Sequence, residues 1–69
     1  MHKYLAIYEK VNDNYSAYSP DLPGCAATGK TLEEVEKNMK EAIGFHIEGM
    51  EKDGLPLPEA TSFMDYIEV

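Results

Sequence analysis

The pattern of apolar and polar residues divides the chain into three short β-type segments and one long helical segment. Residues 3–10 alternate with a period of two, are rich in aromatic and β-branched residues, and predict a strand with two apolar faces. Residues 15–19 resume this alternation after the Asn-Asp-Asn break at residues 12–14, so the two segments predict a hairpin. A short third strand is predicted at residues 25–28, after a connection containing two prolines and a glycine.

The helical segment has recognisable start and stop signals. Thr31 and Glu34 form a capping-box pattern, in which the threonine hydroxyl accepts from a backbone amide and the glutamate reaches back. Gly54 is a predicted C′ residue, and the prolines at positions 56 and 58 cannot continue a helix. Between these signals, apolar or boundary residues recur on one stripe that should face a sheet. They are Leu32, Val35, Met39, Ala42, Ile43, His46, Ile47 and Met50.

The last segment predicts one more strand. Residues 62–69 are rich in β-branched and aromatic residues. The order is then β-β-β-α-β, which predicts an α+β fold with a three-stranded antiparallel meander and one helix on one face of the sheet. A right-handed crossover should bring the fourth strand beside the first. Because no linker, repeat or low-complexity segment interrupts the chain, residues 1–69 are predicted to form a single domain.

A sheet covered by one helix leaves its other face exposed. We expect that face to present members of the set Tyr4, Ala6, Tyr8, Tyr15 and Ala17. An aromatic patch on an open sheet usually marks a contact surface, and Tyr4, Tyr8 and Tyr15 are the predicted aromatic anchors. A chain of 69 residues with one cysteine has a thin core and no internal disulfide, so subunit contacts are its available support. We therefore expect a homo-oligomer.

The charge of the chain is strongly acidic. Thirteen acidic against six basic residues give a net charge of −7. This charge repels phosphate backbones and anionic membrane surfaces, so neither direct nucleic-acid binding nor membrane association is expected. It attracts a basic protein, but it also keeps a small domain soluble, and composition leaves both uses open. The chain has no signal-peptide pattern, and its single unpaired thiol is typical of a cytoplasmic protein.

Candidate catalytic residues are few. Cys25 has no basic residue close in sequence that could activate its thiol, and His46 lies on or beside the apolar helical stripe. The glutamates of the first helical turns suit the positive end of the helix dipole and need no metal to explain them. No glycine-rich phosphate loop, Ser/His/Asp arrangement or metal-spaced cluster is present. We predict no catalytic residue, no metal ligand and no cofactor.

The most distinctive segment is Asp21-Leu22-Pro23-Gly24-Cys25. Its prolines and glycine restrict the conformations of an exposed loop, so little entropy is lost when the loop is ordered. This suits either a rigid connector or a recognition loop that is already ordered before binding. In the second case Asp21 would pair with a partner's lysine or arginine, and Leu22 and Pro23 would fit the partner's shape. The predicted partner-binding residues are therefore Asp21, Leu22, Pro23 and Gly24, together with the three tyrosines.

The stretch YSAYSPDLPGCAATGKTLEEVEKNMKEAIGFHIEGMEKDGLPLPE resembles the core signature of the HicB antitoxin family. It joins a strand, the Asp-Leu-Pro-Gly-Cys turn and a Gly-Lys-Thr-Leu-Glu-Glu helix start. The helix centre and the exit of this signature are carried by Asn38, Glu41, Ala42, Ile43, Gly54, Pro56 and Pro58. With the N-terminal strand included, the resemblance covers nearly the whole chain.

The resemblance implies a partial RNase-H-like β-β-β-α-β fold. It also implies a non-catalytic antitoxin that binds a small basic RNA-cleaving toxin of the HicA type and covers its active-site surface. This agrees with the acidic charge of the chain, since an RNA-cleaving partner must be basic. Family members often carry a further DNA-binding module, which these 69 residues do not include, so we expect no operator binding by them.

Two alternatives remain open. An RNase-H-like fold could carry a nuclease site in which carboxylates hold two metal ions. The available carboxylates are Glu9, Glu41 and Asp65, but the first strand has Ala6 and Ile7 where that site needs an acidic residue. The other alternative is a solitary, self-assembling domain that has no toxin partner.

Overall fold

The sheet and the helix follow one another in the predicted order. The structure, a computed structural model, describes residues 2–69. Its elements are β1 (Ile7–Val11), β2 (Asn14–Tyr18), β3 (Ala26–Gly29) and α1 (Leu32–Lys52). The sheet order is β1-β2-β3, and both strand pairs are antiparallel. The predicted α+β class, with a three-stranded meander followed by one helix, is confirmed.

The first hairpin turns at Asn12 and Asp13. Asn12 has a positive φ of 55°, a conformation that asparagine tolerates better than most residues. The pairing runs from Val11 opposite Asn14 to Ile7 opposite Tyr18. β1 therefore begins at Ile7, later than the predicted residue 3, because β2 ends at Tyr18 and the residues before Ile7 have no strand opposite them.

The connection from β2 to β3 is a turn with its own hydrogen bonds. The Leu22 amide donates to the Ser19 carbonyl at 3.1 Å, and the Cys25 amide donates to the Leu22 carbonyl at 3.0 Å. The Ser19 amide then donates to the Cys25 carbonyl at 3.2 Å. Gly24 has a φ of 81°, which a residue with a side chain rarely adopts. The segment is thus ordered by its backbone, as the prolines and the glycine predict.

Both ends of α1 are capped as predicted. At the start, the Glu34 amide donates to the Thr31 hydroxyl at 3.1 Å, and a Glu34 carboxylate oxygen accepts from the Lys30 amide at 3.1 Å. At the end, Gly54 has a φ of 69° and donates its amide to the Glu51 carbonyl at 3.1 Å. The Leu55 amide reaches the Met50 carbonyl at 2.9 Å, which completes a Schellman motif.

The core lies between α1 and the sheet face beneath it. It contains Ala17, Leu22, Cys25, Val35, Met39 and Ile47. β3 approaches the helix closely at Gly29, where a Cβ atom, if the residue had one, would lie 2.6 Å from the Val35 backbone nitrogen. Glycine is therefore needed at this crossing, because any larger residue would force the strand and the helix apart.

The prediction of which residues lie on the open face of the sheet is wrong. Tyr8, Ala17 and Ala27 stand opposite one another in the register and so share a face, and Ala17 is only 2% exposed because α1 covers it. Tyr4, Ala6 and Tyr15 also pack against the core. The open face instead presents Ile7, Val11 and Tyr18. Since β1 has apolar residues on both faces, its alternation alone could not show which face the helix covers.

The predicted fourth strand is not formed. Residues 55–69 contain no strand, and the segment at 63–69, here called the C-terminal arm, is exposed. The Tyr4 hydroxyl donates to the Pro58 carbonyl at 2.6 Å, and Thr61 and Ser62 bind Asp21. These contacts hold the chain at the end of the sheet, near the β2–β3 connection, so the arm continues without a strand edge beside it.

Candidate partner-binding surfaces

Asp21 of the distinctive loop holds the return of the chain after the helix. One carboxylate oxygen accepts from the Ser62 amide at 3.0 Å, and the other accepts from the hydroxyls of Ser62 at 2.9 Å and Thr61 at 3.2 Å. The bond from the Ser62 amide is the largest cause that holds the pKa of Asp21 below its ordinary value. Asp21 thus has internal partners, and its pairing with a partner's cation stays a prediction.

Leu22 is buried, whereas the next two residues of the loop, Pro23 and Gly24, are exposed. Leu22 is 0% exposed and belongs to the core, so its side chain offers no surface to a partner in this conformation. This corrects the interpretation of Leu22 as a shape-fitting contact. Its burial follows from the backbone turn, which directs the side chain inward. Pro23 and Gly24 are exposed and form the accessible tip of the loop.

The three predicted tyrosine anchors differ in exposure. Tyr4 and Tyr15 are partly buried against the core, whereas Tyr8 is 39% exposed. Tyr8 lies on the helix side of β1, but α1 packs mainly over β3 and β2 and covers β1 only in part. Partial burial and, to a lesser extent, the Glu36 carboxylate raise the pKa of Tyr8. Of the three tyrosines, Tyr8 has the side chain most available to a partner.

A groove of about 310 Å³ runs between β1 and α1 and is called the β1 groove. Its floor is apolar and includes Tyr8, Met39 and Ile43. Lys3, Lys40 and Glu36 line it as well, so this groove combines apolar surface with charges of both signs. The β1 groove is open because α1 covers the helix side of β1 only in part.

A larger groove of about 620 Å³, the β3 groove, lies between β3 and the other side of α1. Glu41 and Phe45 line it from the helix, and Phe45 is 81% exposed. Gly24 also lines it, so the tip of the Asp21 loop and the groove form one continuous surface. The sequence pattern did not single out Phe45. Its position just beside the apolar stripe of α1 was the available signal.

The edge of β3 beside this groove is partly open. The Ser19 amide donates to the Cys25 carbonyl, so the backbone of Cys25 bonds toward the β2 side. The bonding direction alternates along an antiparallel strand. The backbone groups of Ala26 and Thr28 therefore point away from β2. The Asn38 side-chain amide donates to the Thr28 carbonyl at 2.9 Å and so satisfies one of these groups. The Ala26 backbone remains available for pairing with an added strand.

Groups that could perform chemistry are dispersed. Burial raises the pKa of the Cys25 thiol, which keeps it in its neutral and less nucleophilic form. Residues 2–69 contain no group of three or more histidine, cysteine, aspartate or glutamate side chains placed to hold a metal ion. The carboxylates considered for a nuclease site lie on separate parts of the chain: Glu9 on β1, Glu41 on α1 and Asp65 on the C-terminal arm.

No helix within residues 2–69 has the length and apolar character needed to cross a membrane.

The fold and the sequence are both similar to those of a protein of known structure. A chain of a solved structure described as the HicA3 and HicB3 toxin–antitoxin complex superimposes with a TM-score of 0.69 and 34% sequence identity. The match covers 90% of this chain and 70% of that one. Because the identity exceeds what a shared fold alone requires, the likeness extends beyond topology.

Several curated proteins are also similar. A protein of Haemophilus phage HP1, described as an uncharacterized 14.9 kDa protein of the rep-hol intergenic region, is 50% identical over 64 residues. That match covers 93% of this chain, which spans 48% of the phage protein's length. A UPF0150 protein of Helicobacter pylori is 38% identical, with 93% of this chain and 90% of the relative covered. A UPF0150 protein of Thermoplasma acidophilum is 42% identical, with 81% and 83% covered.

The family assignment follows from a match that spans nearly the whole sequence. The family described as the HicB-like antitoxin of bacterial toxin–antitoxin systems matches residues 4–69. This range includes the hairpin, the Asp21 loop, α1 and the return after it. The chain therefore belongs to the HicB-like antitoxin family.

Proposed function

We propose that this chain neutralises a HicA-like RNA-cleaving toxin by covering the basic surface around the toxin's active site. The observation that carries the proposal is the family match over residues 4–69. It is supported by the likeness to a chain of the HicA3 and HicB3 complex at a TM-score of 0.69. The role is one of binding rather than catalysis.

Electrostatics supports this mode of action. A protein that cleaves RNA must attract a phosphate backbone, so its substrate surface is positively charged. The net charge of −7 on this chain attracts such a surface and accelerates the encounter. Binding then removes the toxin's active site from its RNA substrate by occupying the same space.

The β3 groove is the proposed toxin contact. It contains an exposed aromatic side chain, Phe45, beside the Glu41 carboxylate, and no lysine lines it. Aromatic anchors dominate the energetics of many interfaces, and a neighbouring carboxylate suits a partner's lysine or arginine. Pro23 and Gly24 extend this surface at the loop tip. Asp21 is also a proposed contact. Its two oxygens already accept three hydrogen bonds from Thr61 and Ser62, which leaves about one acceptor position for a partner's lysine or arginine.

Inhibition of toxin activity tests the proposal. A purified toxin of the HicA type is mixed with increasing amounts of the chain, and cleavage of a labelled RNA is followed. We expect complete inhibition near a stoichiometric ratio. Unchanged cleavage in the presence of a large excess of folded chain would contradict the proposal.

Two substitutions test the location of the contact. Phe45→Ala and Glu41→Lys should each weaken toxin binding by about tenfold or more, on the scale of an interface anchor of roughly 1.4 kcal/mol. Glu51→Lys makes the same charge change near the end of α1, away from the β3 groove, and is the matched control. Equal effects of Glu41→Lys and Glu51→Lys would show that only net charge matters.

We also propose that the chain forms a homo-oligomer, as expected from its short length. The observation that supports this is the large exposed apolar surface of the C-terminal arm. The same observation favours the alternative of a self-assembling domain. That alternative is distinguished by the toxin assay, because self-assembly alone would leave RNA cleavage unaffected.

A further inference from the structure

The two edge strands of the sheet differ in their protection against pairing with another chain. β1 carries the exposed charged residues Glu9 and Lys10. β3 has the sequence Ala-Ala-Thr-Gly, without a charged residue or a proline. Charges and prolines are what usually keep the edge of a sheet from accepting a further strand. Of the two edges, that of β3 is therefore the one suited to accept one.

The backbone of β3 offers three hydrogen-bonding groups at this edge. The amides and carbonyls of Ala26 and Thr28 point away from β2. The Asn38 side chain binds the Thr28 carbonyl. The amide and carbonyl of Ala26 and the amide of Thr28 then have no partner within residues 2–69. Both residues are exposed, so the backbone of another chain can reach these groups.

α1 runs along this edge in the direction opposite to β3. Early in the helix, Asn38 bonds to Thr28, near the end of β3. Later in the helix, Phe45 lines the β3 groove together with Gly24, which precedes β3. The groove therefore follows the whole edge of β3, with α1 on one side. A strand added to β3 would lie in this groove and pass successive turns of the helix.

Two side chains of α1 line this path one helical turn apart. They are Glu41 and Phe45, of which Phe45 is 81% exposed. Four residues of a helix span about 6 Å along its axis. Alternate residues of a strand share a face and are about 6.8 Å apart. Because these two spacings are similar, residues i and i+2 of an added strand can contact Glu41 and Phe45 at the same time.

Charge favours a basic partner over a second copy of this chain. The groove is lined by the Glu41 carboxylate and by no lysine or arginine. A second copy has a net charge of −7, and its strand-like C-terminal arm carries Asp65 and Glu68 and no basic residue. Both charges repel it from the groove. A toxin that binds RNA is basic, so its segments carry the charge that complements Glu41.

We propose that an extended segment of the toxin adds to the edge of β3 as a further strand, bonded to the backbone of Ala26 and Thr28. On its helix side, this segment places a lysine or arginine at Glu41 and an apolar residue, two positions away, at Phe45. Backbone hydrogen bonds contribute affinity that does not depend on sequence, and the two side chains contribute selectivity. The inference rests on the proposed function, since the toxin is the occupant.

Hydrogen exchange and NOE measurements by NMR test the added strand directly. The isotope-labelled chain is studied alone and with an unlabelled toxin of the HicA type. In the complex, exchange of the Ala26 and Thr28 amides should slow at least about tenfold, and NOEs should join these amides to backbone protons of the toxin. The Lys10 amide points outward at the other edge of the sheet and is the internal control, whose exchange should not change.

Substitutions at Ala26 separate backbone pairing from side-chain contact. Ala26→Pro removes the outward amide without breaking a bond within the chain, and proline is tolerated at such edge positions. It should weaken toxin binding at least about tenfold in isothermal titration calorimetry. Ala26→Ser keeps the amide and is the matched control, which should bind within about twofold of the wild type. Circular dichroism verifies that both variants fold, and the NMR test needs no variant.

Three outcomes would overturn the proposal. Unchanged exchange of the Ala26 and Thr28 amides in the complex would show that the toxin docks through side chains alone. Equal binding by Ala26→Pro and Ala26→Ser would show that the outward amide is not used. Protection of these amides without toxin, rising with the concentration of the chain, would assign the edge to a second copy.

The toxin assay keeps this proposal distinguishable from the proposed function. If the wild-type chain still inhibits RNA cleavage while the amides stay unprotected, only the added strand is wrong and the neutralising role remains. If the wild-type chain neither binds nor inhibits the toxin, both proposals are wrong.

Discussion

The Asp21 carboxylate accepts hydrogen bonds from both the backbone amide and the hydroxyl of Ser62, 41 residues later in the chain. This contact joins the turn between β2 and β3 to the segment that returns from the helix. It determines where that segment runs and where the C-terminal arm leaves the body. A residue with the appearance of a surface recognition group therefore has an architectural role.

Replacing Asp21 should release the return segment. In Asp21→Asn we expect faster hydrogen exchange at the Ser62 amide and a lower melting temperature, because the amide oxygen is a weaker acceptor than a carboxylate. Exchange measured by NMR and thermal unfolding followed by circular dichroism provide the readouts. Asp13→Asn, in the exposed hairpin turn, is the control and should leave the Ser62 amide unchanged.

The same contact gives a pH dependence with a defined sign. Because hydrogen bonding holds the pKa of Asp21 below its ordinary value, its contribution is present above the pKa of about 3.9 of an unfolded aspartate. It is lost as the pH falls through the lower folded pKa. The difference in stability between the wild type and Asp21→Asn should be constant from pH 7 to 5 and shrink below pH 4. A difference that grew under acid would contradict this assignment.

Leu22 should behave as a core residue. Its side chain is fully buried, so Leu22→Ala should lower the free energy of unfolding by about 2 to 5 kcal/mol, a large part of the stability of so small a domain. Urea denaturation measures this loss. Leu55→Ala removes the same atoms at a position that is 52% exposed and should cost much less. Equal costs at the two positions would show that Leu22 is not packed as described.

Two glycines of the chain should respond to alanine in opposite directions. Gly29→Ala places a carbon 2.6 Å from the Val35 nitrogen and should destabilise the fold by about 1 to 3 kcal/mol. Gly44→Ala meets nothing within 4 Å inside a helix and should stabilise it by about 0.5 to 1 kcal/mol. Chemical denaturation of both variants provides the test. A neutral Gly29→Ala would mean that β3 and α1 can separate at little cost.

Cys25 should react slowly in the folded protein. Its side chain is buried, and that burial raises its pKa, so little thiolate forms at neutral pH. The rate of reaction with an aromatic disulfide reagent should rise strongly when urea unfolds the chain. A fast reaction under native conditions would show that the β2–β3 connection opens readily.

Local signals in the sequence determined the elements of the fold. Asn12 at the hairpin turn, Thr31 at the start of α1 and Gly54 at its end were all identifiable from sequence. Each acts through its own backbone angles or through hydrogen bonds to residues a few positions away, so no distant contact was needed. The family could also be inferred from sequence, because its signature is a run of neighbouring residues.

Contacts between distant residues decided the rest. β1 has apolar residues on both faces, so only the placement of α1 over Ala17 and Ala27 showed which side became the core. The inward direction of Leu22 and the pairing of Asp21 with Ser62 depend on segments that meet only after folding. The strand-like arm remained unpaired because a strand is completed by a neighbouring edge, and the residues around Ser62 bring none beside it. The tendency to form a strand, a turn or a helix depends on each residue and its near neighbours in sequence. The covered face of the sheet, the edge available to a further strand and the contact between Asp21 and Ser62 are defined only when distant segments pack together.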